Sequence, residues 1–253
     1  MPFADGTFGW NEAAAAYAVV LVASFLVTRV VTDLMRVPRA VYVAVLAVTA
    51  LTLGAFYLVR SGTSITELVA SGWGWGLVAG LIAAAIAVPL VRRLPLHPHR
   101  EGVPLAASLL WEGLVYGIAE AIVLATLPVL ALWHAATAAG WTDGGWGKAG
   151  AGATAIVGSL LVILVHHLGY AEFRTAASRP KLGGALVTCG LQALAFLLTG
   201  NVLAPVVAHI ALHGQMIFRG VELPPASATV VDVPRFAPPS ERPMPRFDRV
   251  ASG

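Results

Sequence analysis

The chain alternates between long apolar runs and short polar connections. Seven of these runs are long enough to be membrane-spanning helices, because about 20 apolar residues are needed to cross about 30 Å of hydrocarbon. The predicted spans cover residues 11–32, 41–59, 73–91, 104–134, 149–170, 182–199 and 202–218. Each span must be helical, since an open strand in lipid leaves backbone groups unpaired. The sequence therefore predicts an all-α polytopic transmembrane bundle over residues 1–219, with a kink or break at Pro128 in the long fourth span.

Basic residues are distributed unevenly among the connections. The even-numbered loops contain only Arg60 and Lys148, and the odd-numbered loops contain Arg36, Arg39, Arg92, Arg93, Arg100, Arg174, Arg179 and Lys181. Cytoplasmic loops carry the excess of Lys and Arg in most polytopic proteins. We therefore expect the N-terminus outside and the C-terminus in the cytoplasm of a multi-pass plasma membrane protein. Residues 220–253 are rich in Pro and Arg, and we expect them to form a disordered cytoplasmic tail.

Composition supports a membrane environment and excludes several function classes. Hydrophobic residues make up 58% of the 253 residues and charged residues 11%, whereas about a quarter of a soluble domain is charged. The single cysteine, Cys189, cannot form an intramolecular disulfide and is expected to pack in the bundle. Without a zinc-ribbon spacing, phosphate-binding loop or nucleic-acid motif, the expected partner is membrane lipid and not nucleic acid. The N-terminus lacks a basic n-region, so we expect the first apolar run to be a retained helix.

Two acids and four histidines fall inside the predicted spans. Glu112 and Glu120 lie in the fourth span, and the imidazoles are His166 and His167 in the fifth span and His209 and His213 in the seventh. An acid at the centre of the bilayer costs about 2.5–3.5 kcal/mol on insertion scales, and such residues usually serve a function. Two acids and four histidines on three different spans therefore predict a functional site inside the membrane.

The spacing of the histidines suggests which of them share a site. His209 and His213 are four residues apart, which places both imidazoles on one helix face and suits two ligands of one metal ion. His166 and His167 are about 100° apart around a helix, so only one of them can face a given site.

The two glutamates differ by about 80° around the axis and by about 12 Å along it in an ideal helix, so they cannot both bind one ion. Counted from the predicted ends of the spans, Glu112 lies nearer the cytoplasmic side and Glu120 nearer the outer side. On this geometry we expect Glu112, His167, His209 and His213 to form one site. Nitrogen and oxygen ligands in this number favour a divalent metal, above all zinc.

Two of these segments resemble motifs of a known family, the CPBP (CAAX protease and bacteriocin-processing) intramembrane metalloproteases. LLTGNVLAPVVAHIALH resembles the last family motif, with His209 at the position of its histidine and His213 at the polar position four residues later. SLLVILVHHLGY resembles the middle motif, with an apolar residue before a histidine, here Ile163 and His167.

The first family motif consists of two glutamates, three residues and then Arg-Gly, and WEGLVYG lies at its place. Glu112 matches the second glutamate and Gly117 the glycine. Trp111 stands where the family has its first, water-activating glutamate, and Tyr116 stands where it has arginine. The resemblance covers residues 104–218 and marks the chain as a divergent member.

The resemblance implies metal-dependent cleavage of a peptide bond in a membrane-anchored peptide or protein. Under this hypothesis the metal ligands are His167, His209 and His213, the proton acceptor is Glu112 or Glu120, and the surrounding residues are Trp111, Tyr116 and His166. Three alternatives stay open: an inactive family member that binds a membrane partner, a transporter that relays protons through its Glu and His residues, and haem ligation by facing histidines.

Overall fold

A computed structural model describes residues 8–94, 96–97 and 100–221. This part of the chain forms helices and contains no strand. We label the seven long helices α1 to α7: Trp10–Leu34, Arg39–Ser61, Trp73–Arg92, Gly102–Ala138, Gly145–Gly169, Arg179–Thr199 and Leu203–Phe218. A short helix, Ile65–Ala70, lies between α2 and α3. The predicted class, an all-α polytopic helical bundle, is confirmed.

The observed helices follow the predicted spans closely, but they differ in length. Among the described residues, six helices, α1 to α6, are long and apolar enough to cross a membrane. α7 is apolar but has only 16 residues, which corresponds to about 24 Å of helix. Seven spans, and the orientation that depends on them, therefore stay a prediction. The expected tail lies outside the described residues from position 222 onward.

α4 is the central helix of the bundle. Over its most apolar window 78% of its residues are buried, against 28–44% for the other five candidate spans. The buried side chains of α4 are part of the main apolar core. Four other helices also contribute to this core, for example with Val20 on α1, Leu46 on α2, Val162 on α5 and Phe196 on α6. A side chain on α4 is therefore shielded from lipid on nearly all sides, which suits a polar group.

α4 is not a uniform α-helix. Two stretches, Leu109–Val115 and Ala121–Thr126, have π-helical hydrogen bonding, and the short α-helical stretch Tyr116–Glu120 lies between them. π turns inside α-helices often occur at functional sites. Here they bracket Glu120, one of the two acids that the sequence places in this helix.

Pro128 neither breaks α4 nor leaves a buried carbonyl without a donor. Proline lacks an N–H, so in an α-helix the carbonyl four residues earlier, that of Leu124, would lose its partner. The hydroxyl of Ser159 on α5 donates a hydrogen bond to this carbonyl at 2.6 Å. The helix is continuous through Pro128, and the expected break does not occur because a neighbouring helix supplies the missing donor.

Small residues bring α3 and α7 into close contact. A Cβ atom added to Gly80 would lie 2.7 Å from the carbonyl oxygen of Ala204, and one added to Gly76 would lie 2.5 Å from Oδ1 of Asn201. In lipid, helices associate mainly through such close packing. The contact fixes α7, which carries two of the candidate histidines, against the rest of the bundle.

Asn201 fixes the beginning of α7. Its side-chain amide donates to the carbonyls of Val69 and Ser71 at 2.9 and 2.8 Å, and its Oδ1 accepts the N–H of Leu203 at 2.9 Å. The residue is fully buried. The side chain therefore joins the start of α7 to the connection between α2 and α3.

The opposite end of the bundle, which we call the basic end, carries Arg39, Arg92, Arg100, Arg174 and Arg219. Arg174 pairs with Asp33 at 2.6 Å, which joins the connection after α5 to the end of α1. Asp33 also pairs with Arg29. These ion pairs tie the helix ends together at one face of the bundle.

Candidate functional site

The carboxylate of Glu120 lies at the middle of α4 and faces imidazoles from two other helices. Its Oε2 lies 3.0 Å from Nε2 of His213 and 4.0 Å from Nε2 of His209, both on α7. Its Oε1 lies 3.4 Å from Nε2 of His166 on α5. All four residues are buried. Three helices thus bring one acid and three imidazoles into a single cluster, which we call the Glu120 cluster.

The local sequence explains why α7 can approach α4 at this point. Gly117 lies one turn before Glu120, and a Cβ atom there would lie 3.2 Å from the backbone nitrogen of Ile210. A larger residue would push the helices apart. The four-residue spacing of His209 and His213 then places both imidazoles on the face of α7 that meets Glu120.

Backbone carbonyls determine which nitrogen of each α7 histidine carries its proton. Nδ1 of His209 lies 3.3 Å from the carbonyl oxygen of Pro205, and Nδ1 of His213 lies 3.3 Å from that of Glu112. A carbonyl oxygen only accepts, so each Nδ1 must be the donor. In the neutral form, each Nε2 therefore presents a lone pair to Glu120.

A π turn of α4 makes one of these carbonyls accessible. The N–H of Tyr116 bonds to the carbonyls of Trp111 and Gly113, whereas in a regular α-helix it would bond to that of Glu112. The Glu112 carbonyl is thereby turned toward another donor, Nδ1 of His213. The irregular hydrogen bonding of α4 thus orients a side chain of α7.

The Glu120–His213 contact requires a proton or a cation between its two atoms. A carboxylate oxygen and an imidazole lone pair are both acceptors, and they would repel each other at the observed 3.0 Å. One shared proton, on either Glu120 or His213, turns this repulsion into a charge-assisted hydrogen bond. The Glu120–His213 pair therefore holds one positive charge, and a shared proton can move between the two residues.

Three tyrosine hydroxyls extend the cluster toward the basic end. The hydroxyl of Tyr170 lies 2.5 Å from that of Tyr42, 3.1 Å from that of Tyr116 and 3.2 Å from Nε2 of His166. The ring of Tyr116 packs against His213, with 4.7 Å between centroids, and lies 5.5 Å from the guanidinium of Arg39. Polar contacts therefore run from Glu120 to the arginines at the basic end.

The carboxylate of Glu112, unlike its backbone carbonyl, does not join the Glu120 cluster. It pairs with Nε of Arg39 at 3.0 Å and with Nη1 of Arg100 at 3.3 Å. This position corrects the expectation that Glu112 shares a site with the histidines. α4 extends about 55 Å over its 37 residues, so its first turns reach the basic end, and Glu120 lies level with the histidines.

His167 and Trp111 make their hydrogen bonds with groups other than Glu120. Nδ1 of His167 hydrogen-bonds to the carbonyl of Ile163 at 2.8 Å, and its ring packs on Phe173 at 5.0 Å. Of the two neighbouring histidines it is His166 that faces the acid, which corrects the grouping based on depth. The indole N–H of Trp111 donates to the carbonyl of Ala40 at 3.1 Å, and the side chain is partly exposed.

Several polar neighbours of the Glu120 cluster are not recognisable as such in the sequence. Tyr42 and Tyr170 look like ordinary aromatic residues in the sequence, and only their buried hydroxyls reveal them. The thiol of Cys189 on α6 lies 3.8 Å from Nε2 of His209. One turn further along α6, Gln192 is fully buried, and neither polar atom of its carboxamide has a hydrogen-bond partner among the described residues.

The donors of the Glu120 cluster fit a metal chemically, but their spacing does not form a preformed metal site. Histidines that bind zinc usually donate their other N–H to a carbonyl, as His209 and His213 do here. Among residues 8–94, 96–97 and 100–221, however, no group of three His, Cys, Asp or Glu side chains is arranged to hold a metal ion. A metal would require these side chains to close in.

Comparison of the chain with protein-family models, with curated proteins and with solved structures gives no match. The fold and the site define a polytopic helical membrane protein with a buried carboxylate–imidazole cluster. The resemblance to the CPBP proteases consequently rests on its three motif-like segments alone.

Proposed function

We propose that the chain is an intramembrane endopeptidase of the CAAX-protease type, with Glu120 as its proton acceptor in the cytoplasmic half of the membrane. The observation that carries this proposal is the 3.0 Å contact between Glu120 and His213, which requires a proton or a cation between the two atoms. A carboxylate that shares a proton with an imidazole can take a proton from water and return it within one reaction.

In this mechanism Glu120 transfers a proton once in each half of the reaction. Glu120 takes a proton from a water molecule as the water oxygen bonds to the carbonyl carbon of the peptide. When the C–N bond breaks, Glu120 gives this proton to the leaving nitrogen, and a carboxylic acid and an amine result. A general base of this kind contributes about 10²–10⁴-fold in rate.

We further propose that zinc, when bound, takes the place of the proton between Glu120 and His213, and that Nε2 of His209 and Nε2 of His213 would then hold it. A bound divalent metal lowers the pKa of water and stabilises negative charge on a carbonyl oxygen. Metal analysis of the purified protein tests this point: we expect about one zinc ion per chain, with loss of the ion in His209→Ala. Protein that turns over substrate while containing no zinc would contradict it.

Trp111 and Tyr116 favour an inactive protein, but Glu120 supplies another carboxylate for an active one. Both residues replace family residues in the first motif, which suggested a loss of the base. Glu120 offers a carboxylate eight residues beyond Glu112, and Trp111 turns outward to the carbonyl of Ala40. The inactive alternative therefore has less support, although it predicts the same fold.

Cleavage of a membrane-anchored peptide tests the proposal. The purified protein, reconstituted in nanodiscs, would be incubated with a library of peptides anchored by a lipid or by one transmembrane helix, and the products read by mass spectrometry. We expect cleavage by the wild type and at least a hundredfold loss in Glu120→Gln, since the amide retains the shape but cannot accept a proton.

Glu112→Gln is the matched control, because it makes the same chemical change on the same helix. We expect it to retain most of the activity, since Glu112 pairs with arginines at the basic end. Equal turnover by wild type and Glu120→Gln, in protein that unfolds at the same temperature, would refute the role of Glu120.

A second candidate function is proton relay across the membrane. The specific observation in its favour is the row of hydroxyl contacts from His166 through Tyr170 to Tyr42 and Tyr116. Proton flux into liposomes would distinguish the two candidates. Flux that Glu120→Gln abolishes, in protein that cleaves no peptide of the library, would support relay and contradict the peptidase.

A further inference from the structure

Tyr170 occupies a central position among the buried hydroxyls. Its oxygen has three hydrogen-bond neighbours, namely the hydroxyls of Tyr42 and Tyr116 and Nε2 of His166. A tyrosine hydroxyl donates one hydrogen bond and accepts up to two. The three contacts therefore use its full capacity, and the direction of each bond is constrained by the other two.

The two nitrogens of His166 lie in unlike surroundings. Nε2 lies 3.2 Å from the Tyr170 oxygen and 3.4 Å from Oε1 of Glu120, and both of these oxygens can accept a hydrogen bond. Nδ1 is buried and has no hydrogen-bond partner among the described residues. A buried N–H without an acceptor is costly, so the proton of the neutral imidazole belongs on Nε2.

This arrangement also selects one of two directions for the hydroxyl bonds. If Tyr170 donated to His166, the imidazole proton would have to sit on Nδ1, which has no acceptor, and Oε1 of Glu120 would lose its donor. If Tyr170 accepts from His166, it donates to one neighbouring tyrosine and accepts from the other. Only a bond in which His166 donates to Tyr170 leaves Nδ1 of His166 without a proton and gives Oε1 of Glu120 a donor.

We propose that Tyr170 is a positioning residue that holds His166 with its proton on Nε2, the opposite tautomer to His209 and His213. Oε1 of Glu120 then receives a fixed hydrogen bond from His166, and Oε2 keeps the shared proton that it exchanges with His213. The two oxygens of one carboxylate thus have separate tasks. The catalytic consequence rests on the proposed peptidase function, whereas the tautomer does not.

Nitrogen NMR of the histidines tests the proposal without any substrate. The full chain, labelled with ¹⁵N-histidine in nanodiscs, would be measured in the wild type, and His166 would be assigned by the resonances that disappear in His166→Gln. We expect a protonated Nε2 for His166 and a protonated Nδ1 for His209 and His213. A His166 protonated on Nδ1 in the wild type would overturn the proposal.

Tyr170→Phe and Tyr57→Phe form a matched pair for the role of the hydroxyl. Tyr57 is also buried, but its hydroxyl bonds to Nδ1 of His134 at 2.6 Å, away from the Glu120 cluster. We expect a mixture of His166 tautomers in Tyr170→Phe, whereas in Tyr57→Phe the His166 signals should stay unchanged and only those of His134 should shift. An unchanged His166 in both variants would refute the role of Tyr170.

Turnover separates this positioning role from a purely structural one. In the cleavage assay we expect about a tenfold lower kcat in Tyr170→Phe with KM unchanged, because substrate does not touch Tyr170 in this scheme. If the wild type cleaves no peptide, the NMR result still decides the tautomer. If Tyr170→Phe does not fold, the wild-type spectrum alone supports or overturns the assignment.

Discussion

Replacement of Gly80 by alanine tests the contact that fixes α7 in the bundle. An alanine Cβ would lie 2.7 Å from the backbone oxygen of Ala204, whereas heavy atoms in contact are normally about 3.5 Å apart. A backbone oxygen cannot rotate away, so the helices must separate by several tenths of an ångström. Overpacking of this kind costs about 1–3 kcal/mol, and the gain in helix propensity from Gly to Ala returns at most about 1 kcal/mol.

We therefore expect Gly80→Ala to lower the free energy of unfolding by about 0–2 kcal/mol relative to the wild type, and by about 1–3 kcal/mol relative to an alanine at an open glycine position of the same helix. Unfolding would be followed in mixed micelles as a function of denaturing detergent. Gly74→Ala is the control on the same helix, since a Cβ there meets nothing within 4 Å, and it should be neutral or slightly stabilising. Gly80→Ala as stable as Gly74→Ala would refute the close approach of α3 and α7.

Two further substitutions test polar groups outside the Glu120 cluster. Gln192→Met replaces a buried carboxamide, whose polar atoms have no described partner, by an apolar chain of similar length; we expect about 1–2 kcal/mol higher stability in the same unfolding assay. A loss of stability would instead show that the carboxamide binds water or a ligand. Glu112→Gln removes the charge that joins Arg39 to Arg100, and we expect about 1–2 kcal/mol lower stability; unchanged stability at low and high salt would contradict these ion pairs.

The helices could be predicted almost completely from the sequence. A long apolar run in lipid must form a helix, and the ends of these helices lie at Pro, Gly and Arg residues that are visible in the sequence. The predicted second span, residues 41–59, for example, lies within Arg39–Ser61. The π-helical stretches of α4 were not predictable, because they depend on contacts with other helices and not on a residue type.

The members of the site were predictable, but their grouping was not. Both acids and all four histidines were singled out, because polar groups are rare in such spans. The choice of Glu112 over Glu120 relied on counting from the start of α4, and that count assumes that the helix begins at the membrane surface. The choice between His166 and His167 depends on the rotation of α5, which one sequence does not determine.

The π-helical stretches on either side of Glu120 have a consequence for changes in chain length. A π turn contains one residue more than an α turn, so a deletion within Ala121–Thr126 can be absorbed by a return to regular geometry. Such a deletion would leave Glu120 in place and keep the residues that follow it in α4 facing their present neighbours. A one-residue change of length in this stretch is therefore tolerable without moving the acid.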